Sequence, residues 1–184
     1  MGEVRPTAAD PGLIKDLGHW LMQREEIGMV FADPDLVAGA LPPSTVHQTH
    51  ARSAPLSFVM RSDGSPGPGG IPGIGVYTEG VPLGGGMHGG LNPYEMNITL
   101  GFAIADGRKG ELDDTPASLI DIAPTVLNLF GIRCDCDGRV LPLFEPDEEA
   151  WIPETLRAAS GGFEQQLLRQ GTAGRHYLIE GGRA

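Results

Sequence analysis

Glycine and proline set the first limit on this fold. The 184-residue chain holds 28 glycines and 16 prolines, and the excess peaks between Gly64 and Gly90, where "GSPGPGGIPGIG" and "VPLGGGMHGG" stand. Glycine spreads the backbone over both signs of φ, while proline fixes φ and removes an N–H donor, so this stretch cannot be helix and makes a poor strand. Regular structure is therefore expected on either side of a long loop.

The flanks carry that structure in short pieces. Asp10 and Pro11 form a helix start, and Leu13, Ile14, Leu17, Trp20 and Leu21 follow at the spacing of a buried helical face. "IGMVFA" (27–32) and "PLSFVMR" (55–61) are short apolar runs suited to covered strands, and "NITLGFAIA" (97–105) reads as a third. "DIAPTVLNLFGI" (121–132) predicts a helix with Asp121 as N-cap, Pro124 in the first turn, an apolar face of Val126, Leu127 and Phe130, and Gly131 as the stop. That face needs a sheet to lie on. "FEQQLLRQ" and "RHYLIEGG" flank Gly171-Thr172-Ala173-Gly174, which predicts a closing antiparallel hairpin over about residues 163–181. Helices alternating with apolar strands point to an α/β layered fold with a mainly parallel sheet. With 40% hydrophobic residues the chain can bury one core, expected over residues 10–144 of a single domain 1–184. The acidic "EPDEEAWIPE" (145–154) is the stretch with linker character.

Charge and composition exclude some partners. A formal net charge of -11 argues against nucleic-acid scaffolding, because phosphate neutralisation needs clustered Lys and Arg. No stretch approaches the roughly 18 apolar residues of a membrane span. The two cysteines, Cys134 and Cys136, are too close in sequence to bridge across the fold and lack the second pair of a metal site. They read as two free thiols in a turn.

Candidate chemistry centres on His88. Glycines on both sides of it permit unusual backbone angles and leave room for a ligand or metal ion to approach the ring; the same features also suit a solvated turn histidine. Asn92 as N-cap, Pro93 and the capping-box Glu95 stiffen the chain within four residues of it. Gly84, Gly86 and Gly89 satisfy GxGxxG, but without the preceding strand and long following helix that a dinucleotide site requires. His47 and His50 lie in a proline-led loop and read as exposed, and His19 and His176 as structural or solvated. Asp113-Asp114 before Thr115-Pro116 reads as a turn and helix start. Ser44, Thr45, Thr49 and Ser53 stand near His47 and His50, with no elbow motif or orienting acid to make a nucleophile of them.

"GMHGGLNPYEMNITL", "DIAPTVLNLFGI" and "DGRVL", in that order, resemble the C-terminal half of type I phosphodiesterase/nucleotide pyrophosphatases of the alkaline phosphatase superfamily. The ending "EQQLLRQGTAGRHYLIEGG" is similar to the hairpin that closes many bacterial members. The resemblance implies an alkaline phosphatase-like α/β/α layered fold, present here as its C-terminal portion. It also implies a two-metal hydrolase of phosphate esters or nucleotides, in which two zinc-like ions lower the pKa of an attacking Thr or Ser oxygen and clamp the phosphoryl charge. His88 falls on the family's late histidine, a ligand of one ion.

The family's nucleophile and remaining ligands belong to an N-terminal half without a counterpart among these residues. One imidazole does not hold a dinuclear zinc centre, so the chain is expected to be inactive by itself and to pair with a missing N-terminal half or with a second copy. Two alternatives stand beside this reading: a stand-alone binding or structural module without catalysis, and a fragment of a sister sulfatase, since those share the late helix.

Overall fold

The computed structural model describes residues 1–7, 10–76, 82 and 88–184. In chain order the elements are β1 (Gly2–Val4), α1 (Pro11–Met22), β2 (Ile27–Ala32), β3 (Leu56–Met60), β4 (Ser62–Pro66), β5 (Pro72–Gly75), α2 (Pro93–Met96), α3 (Ile122–Leu129), β6 (Ile152–Ser160), β7 (Phe163–Thr172) and β8 (Arg175–Arg183). They make three small sheets, ordered β1-β3-β2, β4-β5 and β6-β7-β8. No helix among the described residues is long and apolar enough to cross a membrane.

The layered α/β/α architecture with a mainly parallel sheet is therefore not adopted. β3 runs antiparallel to both β1 and β2, and β4 is antiparallel to β5. The two-residue connections 161–162 and 173–174 leave β6, β7 and β8 no geometry but successive antiparallel hairpins. Parallel neighbours need a crossover of a dozen or more residues, usually helical. Between β2 and β3 the chain offers Asp33-Pro34, Pro42-Pro43 and a single 3-10 turn, Pro43–Val46, so it returns antiparallel. Residues 97–105, expected as a third strand, form none, and Ile98 stands 65% exposed. Strand propensity without a neighbour to supply ladder hydrogen bonds produces no strand.

Contact density divides the chain into two compact units, Met1–Ile98 with Glu154–Arg169 and Leu178–Ala184, and Thr99–Pro153 with Gln170–Tyr177. The first holds the larger apolar core. α1 forms as its punctuation predicts: the Asp10 carboxylate accepts the N–H groups of Gly12 and Leu13, and Pro11 occupies the first turn. Ile14, Leu21 and Met22 of α1 pack with Ile27, Val30, Val37, Leu56 and Phe163. Gly18 lets the helix settle against Val37, whose methyl carbon would stand 2.6 Å from an added Cβ. On the other side of β2, Met29 and Phe31 join Leu41, Val59, Leu91 and Leu167. Every residue of β2 is buried although β2 is an outer strand of its sheet. Its edge is covered by Leu41, bridged to Phe31, and by the fully buried Gln165 amide, which accepts from Val30 N at 2.9 Å and donates to the carbonyls of Val30 and Gly39. A side chain thus supplies the hydrogen bonds that another strand would have made.

The described first part of the glycine- and proline-rich stretch, residues 64–76, holds regular structure. β4 and β5 form a ribbon there with an irregular register between Asp63 and Pro66. Proline is compatible with a two-stranded ribbon, where outward N–H positions need no partner. Gly73, at φ 94°, lies against the Tyr94 ring, at a place where a Cβ would collide with it.

In the second unit α3 ends at Gly131, φ 68°, as its glycine stop predicts. Its beginning differs from expectation. A 3-10 turn, Leu119–Asp121, precedes α3, and Asp121 already has helical angles, so its carboxylate does not cap the N–H groups of α3. Cys134 and Cys136, expected as two free thiols in a turn, bring their sulfurs together across Asp135.

Candidate functional site

His88 is exposed and leads into an anchored segment of the first unit. Gly89 takes φ 86°, a left-handed angle that favours glycine, and its carbonyl accepts from the Met1 amino group at 2.6 Å. The Glu95 carboxylate reaches back to Gly90 N at 2.6 Å and to the Asn92 side-chain amide, while Asn92 Oδ1 accepts from Tyr94 N and Glu95 N. Leu91 is buried in the core and its carbonyl accepts from Gly181 N at 2.6 Å. Asn92 caps α2 as expected, but the Glu95 carboxylate reaches Gly90 N and the Asn92 side chain in place of the Asn92 backbone N–H that a capping box would use, and α2 runs a single turn from Pro93 to Met96. Gly84 and Gly86 of the accidental GxGxxG match lie outside the described residues, as does the glycine run just before His88.

The other histidines have local settings of their own. His47 sits at the end of a 3-10 turn with φ 61°, and His50 Nδ1 accepts from Arg52 N within its own loop. His19 occupies the last turn of α1, where a cation complements the helix dipole. His176 lies on β8 against Gly171. Among the described residues no group of three or more His, Cys, Asp or Glu is placed to hold a metal ion. A zinc site takes three or four protein ligands, so the described residues do not complete the dinuclear centre that the resemblance implies.

Asp113 is committed to a turn. Its carboxylate accepts the Thr115 hydroxyl at 2.7 Å and amide at 3.0 Å and pairs with Arg108. Those Thr115 bonds, then the Arg108 guanidinium, hold the Asp113 carboxyl below its ordinary range.

The densest polar arrangement lies in the second unit, around Asp121. This fully buried carboxylate accepts from Ser118 N at 2.8 Å, Arg139 N at 2.8 Å and the Tyr177 hydroxyl at 2.9 Å. One turn on, the Thr125 hydroxyl donates to the Asp121 carbonyl and accepts from Leu141 N at 2.9 Å. "DIAPT" and "DGRVL" are thus stitched together by two side chains. Gly138 is required there, since a Cβ would run into the Ile120 carbonyl. The Arg139 guanidinium is buried, bonded to Asp147 at 2.8 Å, and lies 4.8 Å from the centre of the Trp151 ring, which meets Tyr177 edge-on at 5.4 Å. Burial, followed by the hydrogen bond to Asp121, pushes the Tyr177 phenol up to about 12.

Sequence reasoning missed Asp147 and Trp151, because "EPDEEAWIPE" resembles a linker and nothing local distinguishes Asp147 from its acidic neighbours. It also assigned Asp121 to a helix cap. The available signal was Arg139: an arginine between Gly138 and Val140 that becomes buried requires a carboxylate.

This second unit also has an open groove of about 240 Å³ between α3 and residues 140–146, lined by Asn128, Leu129, Leu141 and Phe144 among others. It is smaller than most ligand pockets and carries no cluster of acid and base. Compared with known proteins, the chain matches no family model, no curated protein and no solved structure.

Proposed function

We propose that this chain is the C-terminal portion of a metal-dependent phosphodiesterase or nucleotide pyrophosphatase-like hydrolase, inactive by itself, in which His88 contributes one metal ligand and the remaining ligands and the nucleophile come from elsewhere. The observation that carries the reading is the joining of "DIAPT" to "DGRVL" through Asp121 and Thr125. Two of the segments on which the resemblance rests are parts of one buried motif, which supports reading them together. The anchoring of Gly89 to Leu91 supports the same reading, because a ligand imidazole needs a fixed backbone behind it. So does α3, whose Val126, Leu129 and Phe130 are 39%, 40% and 75% exposed, as suits a helix that packs on further chain.

The test is hydrolysis of bis(p-nitrophenyl) phosphate with added zinc, by this chain alone and by this chain together with the polypeptide encoded immediately upstream of it. The expected result is turnover only in the combination, abolished by His88→Ala. Turnover by the chain alone, or a combination that ignores His88→Ala, refutes the proposal.

A further inference from the structure

We propose that Asn97 is an acceptor for N-linked sugar, with the Tyr94 ring as the surface on which the first sugar rests. Asn97-Ile98-Thr99 fits the pattern that oligosaccharide transfer to asparagine requires: Asn, any residue but proline, then Ser or Thr. The chain's other two asparagines do not fit it, since Asn92 is followed by Pro93, and Asn128 by Leu129 and Phe130.

The fold presents this tripeptide. All three residues are exposed and belong to neither helix nor strand, so a transferase can draw them into its own cleft without unpacking a core. Asn92 caps α2, and Asn97 stands at the opposite end.

Tyr94 is the second observation. The Asn97 N–H donates to the Pro93 carbonyl at 3.0 Å, so Asn97 closes the turn that Pro93 and Tyr94 begin. Residues three apart on a helical turn have Cβ atoms about 5–6 Å from each other, which sets the tyrosine beside the asparagine. One side of the ring lies against Gly73, where an added Cβ would stand 2.6 Å from Tyr94 Cγ, and the residue is still 47% exposed. Held on one side and open on the other, the ring offers a flat apolar surface with a polar tip. The C–H-bearing face of a pyranose joined to Asn97 Nδ2 matches that surface, while its hydroxyl groups stay in water.

The transfer balances with one co-reactant, a lipid-linked oligosaccharide diphosphate. Asn97 Nδ2 forms a bond to C1 of the first sugar. The C1–O bond to phosphate breaks, the lipid diphosphate leaves with the electron pair, and Nδ2 gives up one proton. Nothing is oxidised or reduced. The reaction is open to a chain carried across the membrane that displays this donor, so the proposal includes export.

The experiment has two parts. The protein isolated from its own cells is treated with peptide N-glycosidase in heavy-oxygen water, and the peptide holding Asn97 is weighed before and after. The expected result is an Asn97 converted to labelled aspartate by the glycosidase; a peptide recovered wholly at its unmodified mass without treatment overturns the proposal. The full chain is then secreted from cultured mammalian cells behind a signal sequence. Glycosidase-sensitive mass is expected in the parent and absent from Asn97→Gln and Thr99→Ala, and an unmodified parent or a modified Asn97→Gln chain overturns the proposal. Thermal melts compare sugar-bearing and glycosidase-treated forms within each variant, so any loss of folding in the variant itself cancels. The sugar is expected to raise the midpoint in the parent and in Tyr94→Phe and not in Tyr94→Ala. A rise that survives Tyr94→Ala, or no rise in the parent, overturns the role given to the ring.

Discussion

Replacing Asp121 with asparagine tests what holds the second unit together. The carboxylate serves three donors, Ser118 N, Arg139 N and the Tyr177 hydroxyl, from a fully buried position. Asparagine keeps one oxygen for two of them and turns an NH₂ toward the third. A buried donor left without a partner costs about 1–3 kcal/mol. The two retained bonds fall from charge-assisted to neutral, losing roughly half of about 1.5–3 kcal/mol each. The expected loss is therefore about 2.5–6 kcal/mol, and about 1.5–3 kcal/mol for Tyr177→Phe, which removes a single bond to the charge. Urea unfolding in a Trp20→Phe background reads this directly, because Trp151 then reports alone and its ring lies against Arg139 and Tyr177. The double variant is expected to lose about 1 kcal/mol less than the two single losses added, since Asp121→Asn already weakens the bond that Tyr177→Phe removes. If Asp121→Asn unfolds within about 0.5 kcal/mol of the parent, the network is not what stabilises this unit.

Other consequences are as specific. With the folded-state Tyr177 phenol raised from about 10 to about 12, the fold favours the neutral phenol, so its contribution is whole below pH 10 and is lost as pH rises toward 12. The Trp151 signal is expected to show an alkaline transition in that window, and a Tyr177→Phe chain with the same transition would assign it to another group. Ala173 occupies φ 45° in the β7–β8 turn and is exposed, so Ala173→Asn, which tolerates that angle better, is expected to stabilise by about 0.5–1 kcal/mol in thermal or urea melts; a destabilised variant contradicts this. Gln165→Ala strips the edge of β2 of its substitute ladder and is expected to cost about 2–4 kcal/mol, with hydrogen exchange at the Val30 amide accelerated most. Unchanged exchange at Val30 would show that another group protects that edge.

What was legible in the sequence was what neighbouring residues decide among themselves. Asp10-Pro11 starts α1, Gly131 stops α3, Asn92 caps α2, and Ala173-Gly174 turns the final hairpin, each through groups within a few positions of one another. Strand direction was not legible, because "IGMVFA" is equally apolar whether its neighbour is parallel or antiparallel; the proline-broken connection to β3 decided it. Residues 97–105 carry strand propensity and still form no strand, since propensity does not provide a partner. The Asp121 centre joins positions 118, 121, 139 and 177, and no local pattern marks such distant donors as belonging to one carboxylate. His88 was legible as a candidate, and the described residues set a stiff backbone behind it and place no group of three or more His, Cys, Asp or Glu to hold a metal ion.

The most direct measurement follows the His88 imidazole by NMR through a zinc titration, first in this chain and then with the upstream polypeptide present. Zinc at concentrations near those of the protein should leave the ring unshifted in the isolated chain and shift it stoichiometrically in the pair. A ring that binds zinc tightly without the second polypeptide, or one that stays unshifted in a pair that hydrolyses phosphodiesters, contradicts the assignment of His88 as one ligand of a shared centre.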